Sequence, residues 1–169
     1  MKGNLYVIIE TPHSRSEVTF SHAVSKEESI SSTYFLCPEK SELIDLPYSH
    51  WQWEDNQFNF EVSESKEINE WFLFLSNTVD LADQVEAIIS LLAQHNRLCL
   101  SRIITFINSN VLFNLNNDLK IWINACAHFS DVLCFSSRNN DNSNLIKKTI
   151  DRFESMHYPL ETYIIGQKK

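Results

Sequence analysis

Glycine is almost missing from this chain: there are two in 169 residues, Gly3 and Gly166, both near the ends. Ordinary domains use about 7%. Loops that cradle phosphate depend on glycine, because their backbone enters conformations other residues avoid and must come close to the anion. No internal glycine is present to build one. Paired cysteines are missing too. Cys37, Cys99, Cys126 and Cys134 are widely spaced, form no C-x-x-C motif and fall mostly in apolar runs, which reads as buried, reduced thiols. Basic charge is short, with 14 Lys and Arg against 22 Asp and Glu and a formal net charge of -8. Such a chain repels phosphate backbones and anionic membranes at long range, and its only adjacent basic pairs, Lys147-Lys148 and Lys168-Lys169, make no patch that overrides this. No nucleic acid or membrane partner is expected. Nor does any stretch reach the ~18 to 20 apolar residues of a membrane span. The opening residues, Met1-Lys2-Gly3-Asn4 and a short apolar run to Glu10, lack the pattern of a signal peptide, so the expected location is the cytoplasm.

What is present describes a globular α/β chain. A 43% hydrophobic content over 169 residues supplies one real core, consistent with a single domain over 1–169. Residues 5–10 and 33–37 form short β-branched or apolar runs, the second stopped by Pro38. Residues 71–75, 103–107 and 132–135 are continuously apolar, the pattern of strands covered on both faces of a parallel sheet, and 162–165 read as a last strand. Helical spacing is plainest over 80–95, where Leu81, Val85, Ile88, Ile89 and Leu92 share a face behind Asp80. Helices are also expected over 17–24, 118–129 and 145–156, with 108–117 and 136–144 as polar connections. Trp51, Trp53, Phe58 and Phe60 alternate around the turn-like Glu54-Asp55-Asn56, as a β-hairpin would. Strands alternating with helices imply βαβ units: a mainly parallel sheet with helices on both faces.

In such sheets ligands bind beyond the carboxyl ends of the strands. The first loop there reads Glu10-Thr11-Pro12-His13-Ser14-Arg15-Ser16-Glu17, eight residues in the place of the phosphate-binding GxxxxGK[ST] loop. Glu10 and Arg15 stand for the two glycines, Ser16 for the lysine and Glu17 for the magnesium-binding hydroxyl. A carboxylate in that last position opposes triphosphate binding, although Arg15 could meet an anion. The loop reads as degenerate. Because Pro12 has no N–H, it is also expected to be short of backbone donors.

From residue 5 to residue 165 the order of elements resembles the GTPase domain of the CobW-type metallochaperones. Phe74-Leu75-Ser76-Asn77 stands where that family has Glu-x-Ser-Gly, and Phe106-Ile107-Asn108-Ser109 is similar to its Val-Asp-Ala with asparagine for aspartate. The stretch Ala125-Cys126-Ala127-His128-Phe129-Ser130-Asp131-Val132-Leu133-Cys134-Phe135 is similar to the family's helix end and Ala-Asp-Val strand. The resemblance implies a P-loop NTPase-like three-layer sandwich. It also implies a base-reading Asn-Lys-x-Asp after that strand, but Ser136-Ser137-Arg138-Asn139 stands there instead, without the aspartate. The family's Cys-x-Cys-Cys is absent.

Other chemistry has little support. Cys126 and His128, two residues apart, do not share a helix face, so no metal is expected. His13, His50 and His157 have no G-x-S-x-G elbow to work with. The aromatic face of Trp51, Trp53, Phe58 and Phe60 either packs on the core or meets a partner protein. The leading expectation is a pseudo-GTPase without cofactor that serves as a binding or scaffold module; the alternative is an active GTP-binding, CobW-like metallochaperone with diverged motifs.

Overall fold

The computed structural model describes residues 3–14, 16, 19, 32–38, 47–61 and 68–165. The helix expected over 17–24 falls almost wholly outside them. The chain forms two compact units, one of Met1–Ile8 with Arg15–Ser101, the other of Ile9–Ser14 with Arg102–Lys169. Among the described residues, eight strands and three α-helices make it an α/β protein whose strands are mainly parallel.

In the first unit the strand order is β4 (Gln57–Asn59), β3 (Tyr48–Glu54), β2 (Thr33–Pro38), β5 (Glu70–Phe74), β1 (Gly3–Glu10). All neighbours are parallel except β3 and β4. β5 lies between β1 and β2, which explains its unbroken apolar run: Phe72, Leu73 and Phe74 are buried, with Phe35 stacked on Phe72. The β3–β4 hairpin turns at Asp55 and Asn56, both at positive φ (51° and 56°), as a two-residue turn of the type that matches strand twist requires. Gly3 sits where a Cβ would come within 3.2 Å of the Trp71 ring and 3.3 Å of Leu98, so a close approach, not a turn, requires glycine there. The helix α1 (Leu81–Gln94) starts at Asp80, whose carboxylate accepts the N–H groups of Ala82 and Asp83 at 2.8 and 3.3 Å.

The second unit orders β6 (Leu98–Asn108), β7 (Val132–Ser136) and β8 (Glu161–Ile164), all parallel, with β7 in the middle. Parallel neighbours need crossovers, and α2 (Asn117–Phe129) and α3 (Ser143–Ser155) supply them. Ile107, Leu133 and Phe135 from the strands pack with Ile123 and Ala127 of α2 and Ile146 and Phe153 of α3 into one buried cluster. β6 begins earlier than its apolar run, because 98–101 are exposed or half-buried and carry no buried-strand signature. The polar connection after β6 is not irregular: Asn108 accepts the Asn110 N–H at 3.0 Å and starts a 3₁₀ turn, Ser109–Asn114, which Leu112 anchors in the core.

Candidate functional site

Within the second unit, three strand ends meet side by side: the segment after β1, the end of β6 and the loop after β7. The first is drawn onto β6 by its own short polar side chains. The Thr11 N–H donates to Phe106 O at 2.9 Å, and the Asn108 N–H donates to Thr11 Oγ1 at 2.8 Å. The Thr11 and Ser14 hydroxyls bond at 2.7 Å, and Ser14 Oγ donates onward to Phe106 O at 3.2 Å. Asn108 Nδ2 holds the carbonyl of His13 at 2.9 Å. Thr11, Ser14 and Asn108 are all buried.

This wiring limits what residues 11–14 can offer an anion. The N–H groups of Thr11 and Ser14 are spent on Phe106 O and Thr11 O, and Pro12 has none. Within residues 11–14 only the His13 N–H is left, at a residue forced to a φ of 65° where phosphate loops place glycine. Ser16, in the lysine's position, is fully buried, and Glu10 is half-buried. Arg15 and Glu17 lie outside the described residues.

After β7 a second asparagine-centred knot forms. Asn142, 0% exposed, accepts the Asn139 N–H at 2.8 Å and donates from Nδ2 to Ser137 O at 3.0 Å and to Asn110 Oδ1 at 3.3 Å. In return, Asn139 Oδ1 accepts the N–H groups of Asp141 and Asn142, each at 2.9 Å. The residue in the place of the base-reading aspartate therefore spends its side chain on its own turn. Ser137 adopts a φ of 57°, and the Nε–H of Arg138, which is exposed, donates to Ser143 Oγ at 3.2 Å. The hydroxyls of Ser109 and Ser136 are buried and, among the described residues, have no partner. Sequence reasoning singled out 136–139 but missed Asn142; the signal was the Asn-x-x-Asn spacing, which suits reciprocal capping.

In the first unit, the loop after β5 is closed by a different residue. Gln84, 1% exposed on α1, accepts the Ser76 N–H at 2.8 Å and donates to Ser76 O at 2.9 Å and Val79 O at 3.0 Å. Of the aromatic set, Trp51 and Phe58 are core residues: Trp51 Nε1 donates to Phe74 O at 2.9 Å, and the two rings meet edge to face at 5.0 Å. Trp53 also meets Phe58 edge to face, and Phe60 stacks on His95; both are half-buried. Trp51, Trp53 and Phe58 share one face, as the alternation requires.

Burial holds the Cys134 thiol up at about 11 and raises that of Cys126 well above the ordinary range, so neither is a nucleophile or ready metal ligand. Among the described residues, no group of three or more His, Cys, Asp or Glu side chains is placed to hold a metal ion. None of their helices is long and apolar enough to cross a membrane.

The path of the chain through these elements is shared with known proteins. Two of the solved structures that share this fold are the following. One is the zinc-bound GTPase YjiA of E. coli, a CobW-family protein, with a TM-score of 0.68 at 9% identity. The other is a zinc-bound triple mutant of YjiA, with a TM-score of 0.67 at 10% identity. Each match covers 100% of this chain but 59% of the YjiA chain, so the present sequence spans about three-fifths of its structural neighbours. At this identity the likeness establishes the fold and leaves function to the residues. No protein-family model and no curated protein matches the sequence.

Proposed function

We propose that this chain is a pseudo-GTPase: a CobW-like, P-loop NTPase-like domain that does not bind or hydrolyse nucleotide and works in the cytoplasm as a binding or scaffold module. The observation that carries the reading is the consumption of donors at the two strand ends a nucleotide would need. A phosphate cradle offers a row of outward backbone N–H groups; residues 11–14 leave one, at His13, because Thr11 and Ser14 point theirs inward and Pro12 has none. Guanine reading needs a free carboxylate, and Asn139 supplies a carboxamide already bound to Asp141 and Asn142. A module of this kind acts through its surface. Trp53 and Phe60, the half-buried members of the aromatic hairpin, are the side chains we assign to a protein partner.

The fold shared with a GTPase favours the second reading, an active nucleotide-dependent metallochaperone with diverged motifs. Thermal melting separates the two. A ligand at a hundred times its dissociation constant adds about 2.7 kcal/mol of stability, a shift of several degrees for a chain of this size. The pseudo-GTPase melts at the same temperature with and without GTP plus magnesium, and with and without EDTA. A reproducible rise with GTP, or a fall with EDTA, sinks this reading in favour of the second.

A further inference from the structure

We propose that two copies of this chain pair antiparallel through the outer edge of β8, about a two-fold axis at Tyr163. Among the described residues β8 is the outermost strand of its unit and is paired on one side only, where the Glu161 N–H donates to Asp131 O at 3.0 Å and the Ile165 N–H to Phe135 O at 2.8 Å. In a parallel ladder alternate residues face the neighbouring strand. Thr162 and Ile164 therefore turn their N–H and C=O groups outward, and among the described residues nothing meets them.

Sheet edges are normally blunted by a lysine, a proline, an unpaired charge or a covering segment. β8, reading Glu-Thr-Tyr-Ile, has no lysine or proline. Its one charge is tied down, since Glu161 Oε2 accepts from Arg102 Nη1 at 2.9 Å and from the Tyr163 hydroxyl at 3.1 Å. Two neighbouring large apolar side chains are left open, Tyr163 at 55% exposure and Ile164 at 42%.

The strand matches a second copy of itself. With the axis at Tyr163, Thr162 of one copy faces Ile164 of the other, so the two outward-facing residues of each strand exchange backbone hydrogen bonds. Tyr163 then faces its own mate in the non-hydrogen-bonded position, where side chains approach most closely. Glu161 faces Ile165, so the carboxylates do not oppose one another. One short edge buries less than the ~1,200 Å² of a stable interface, so the dimer forms with rising concentration. Each copy carries a net charge of -8, so added salt strengthens it. The pairing is independent of whether the chain binds nucleotide.

Sedimentation equilibrium from micromolar to millimolar protein, at low and physiological salt, is the test. The expected mass climbs toward twice that of the chain, more steeply with salt. Thr162→Pro removes an outward N–H and leaves the β7 ladder intact, and is expected to stay monomeric with unchanged melting; Ile164→Lys does the same by placing a charge on the edge. If Thr162→Pro melts early, Ile164→Lys alone decides. A chain that stays monomeric to millimolar concentration, or a dimer that survives the folded variants, overturns the proposal.

Discussion

Replacing Asn142 by alanine probes the knot that closes the loop after β7. The side chain is 0% exposed and makes three hydrogen bonds, to the Asn139 N–H, Ser137 O and Asn110 Oδ1. Truncation frees the Asn110 carboxamide to find water at little cost, because Asn110 is exposed. The other two partners are backbone groups that lose their bonds inside a closed turn, each worth about 1 to 1.5 kcal/mol. The expected loss is therefore about 2 to 3 kcal/mol, or roughly 5 to 10 °C in Tm at the 2 to 4 °C per kcal/mol usual for this size. Urea denaturation followed by circular dichroism reads it directly. A double-mutant cycle with Asn139→Ala is expected to show coupling of about 1 kcal/mol or more, because each asparagine caps the other. A loss under about 0.5 kcal/mol, or strict additivity, refutes the claim that this pair holds the loop shut.

Four further outcomes follow from the same structure. Gln84→Leu leaves the Ser76 N–H and the Ser76 and Val79 carbonyls unpaired and is expected to cost about 2 to 4 kcal/mol by urea denaturation. Gln84→Glu keeps the acceptor but turns a second oxygen on those carbonyls, which raises the folded carboxyl above its unfolded ~4.3; its stability is fully present below about pH 4.3 and is lost as pH rises through the folded value. A Gln84→Glu deficit that does not shrink on acidification rejects that contact. Native protein treated with a thiol reagent at pH 8 is expected to react at half-buried Cys99 and not at Cys126 or Cys134, which become reactive only on unfolding; mass spectrometry of the labelled sites checks this. Asn56→Gly eases a positive φ in the hairpin turn and is expected to raise Tm slightly, an effect of under about 1 kcal/mol, while a fall contradicts the turn geometry.

The strands were legible where burial left one unambiguous pattern. Trp71 to Phe74 and Val132 to Phe135 are apolar on both faces and stand inside the sheet, and the Asp80 cap marks α1 within a residue. The first residues of β6 were not, because Leu98, Cys99 and Leu100 mix half-buried and exposed positions. The 3₁₀ turn after β6 hid in a polar stretch, since its helical character comes from one cap, Asn108, and one buried contact, Leu112, and not from periodicity. Motif reading pointed to residues 10–17 and 136–139, but only as missing chemistry. Composition cannot show that the Thr11 N–H turns inward to Phe106 O, or that Ser14 and Asn108 tie the loop to β6, because those bonds join residues over ninety positions apart. The same limit hid Gln84, an ordinary helix former by sequence that becomes a buried clamp only once α1 lies against the loop at Ser76.

Isothermal titration of the folded chain with GTP and GDP in magnesium addresses the central claim most directly, with Asn142→Ala run beside it. Inward-turned donors at Thr11 and Ser14 and a committed Asn139 predict no heat of binding at any accessible concentration, in either protein. Saturable micromolar binding to the unaltered chain contradicts the account.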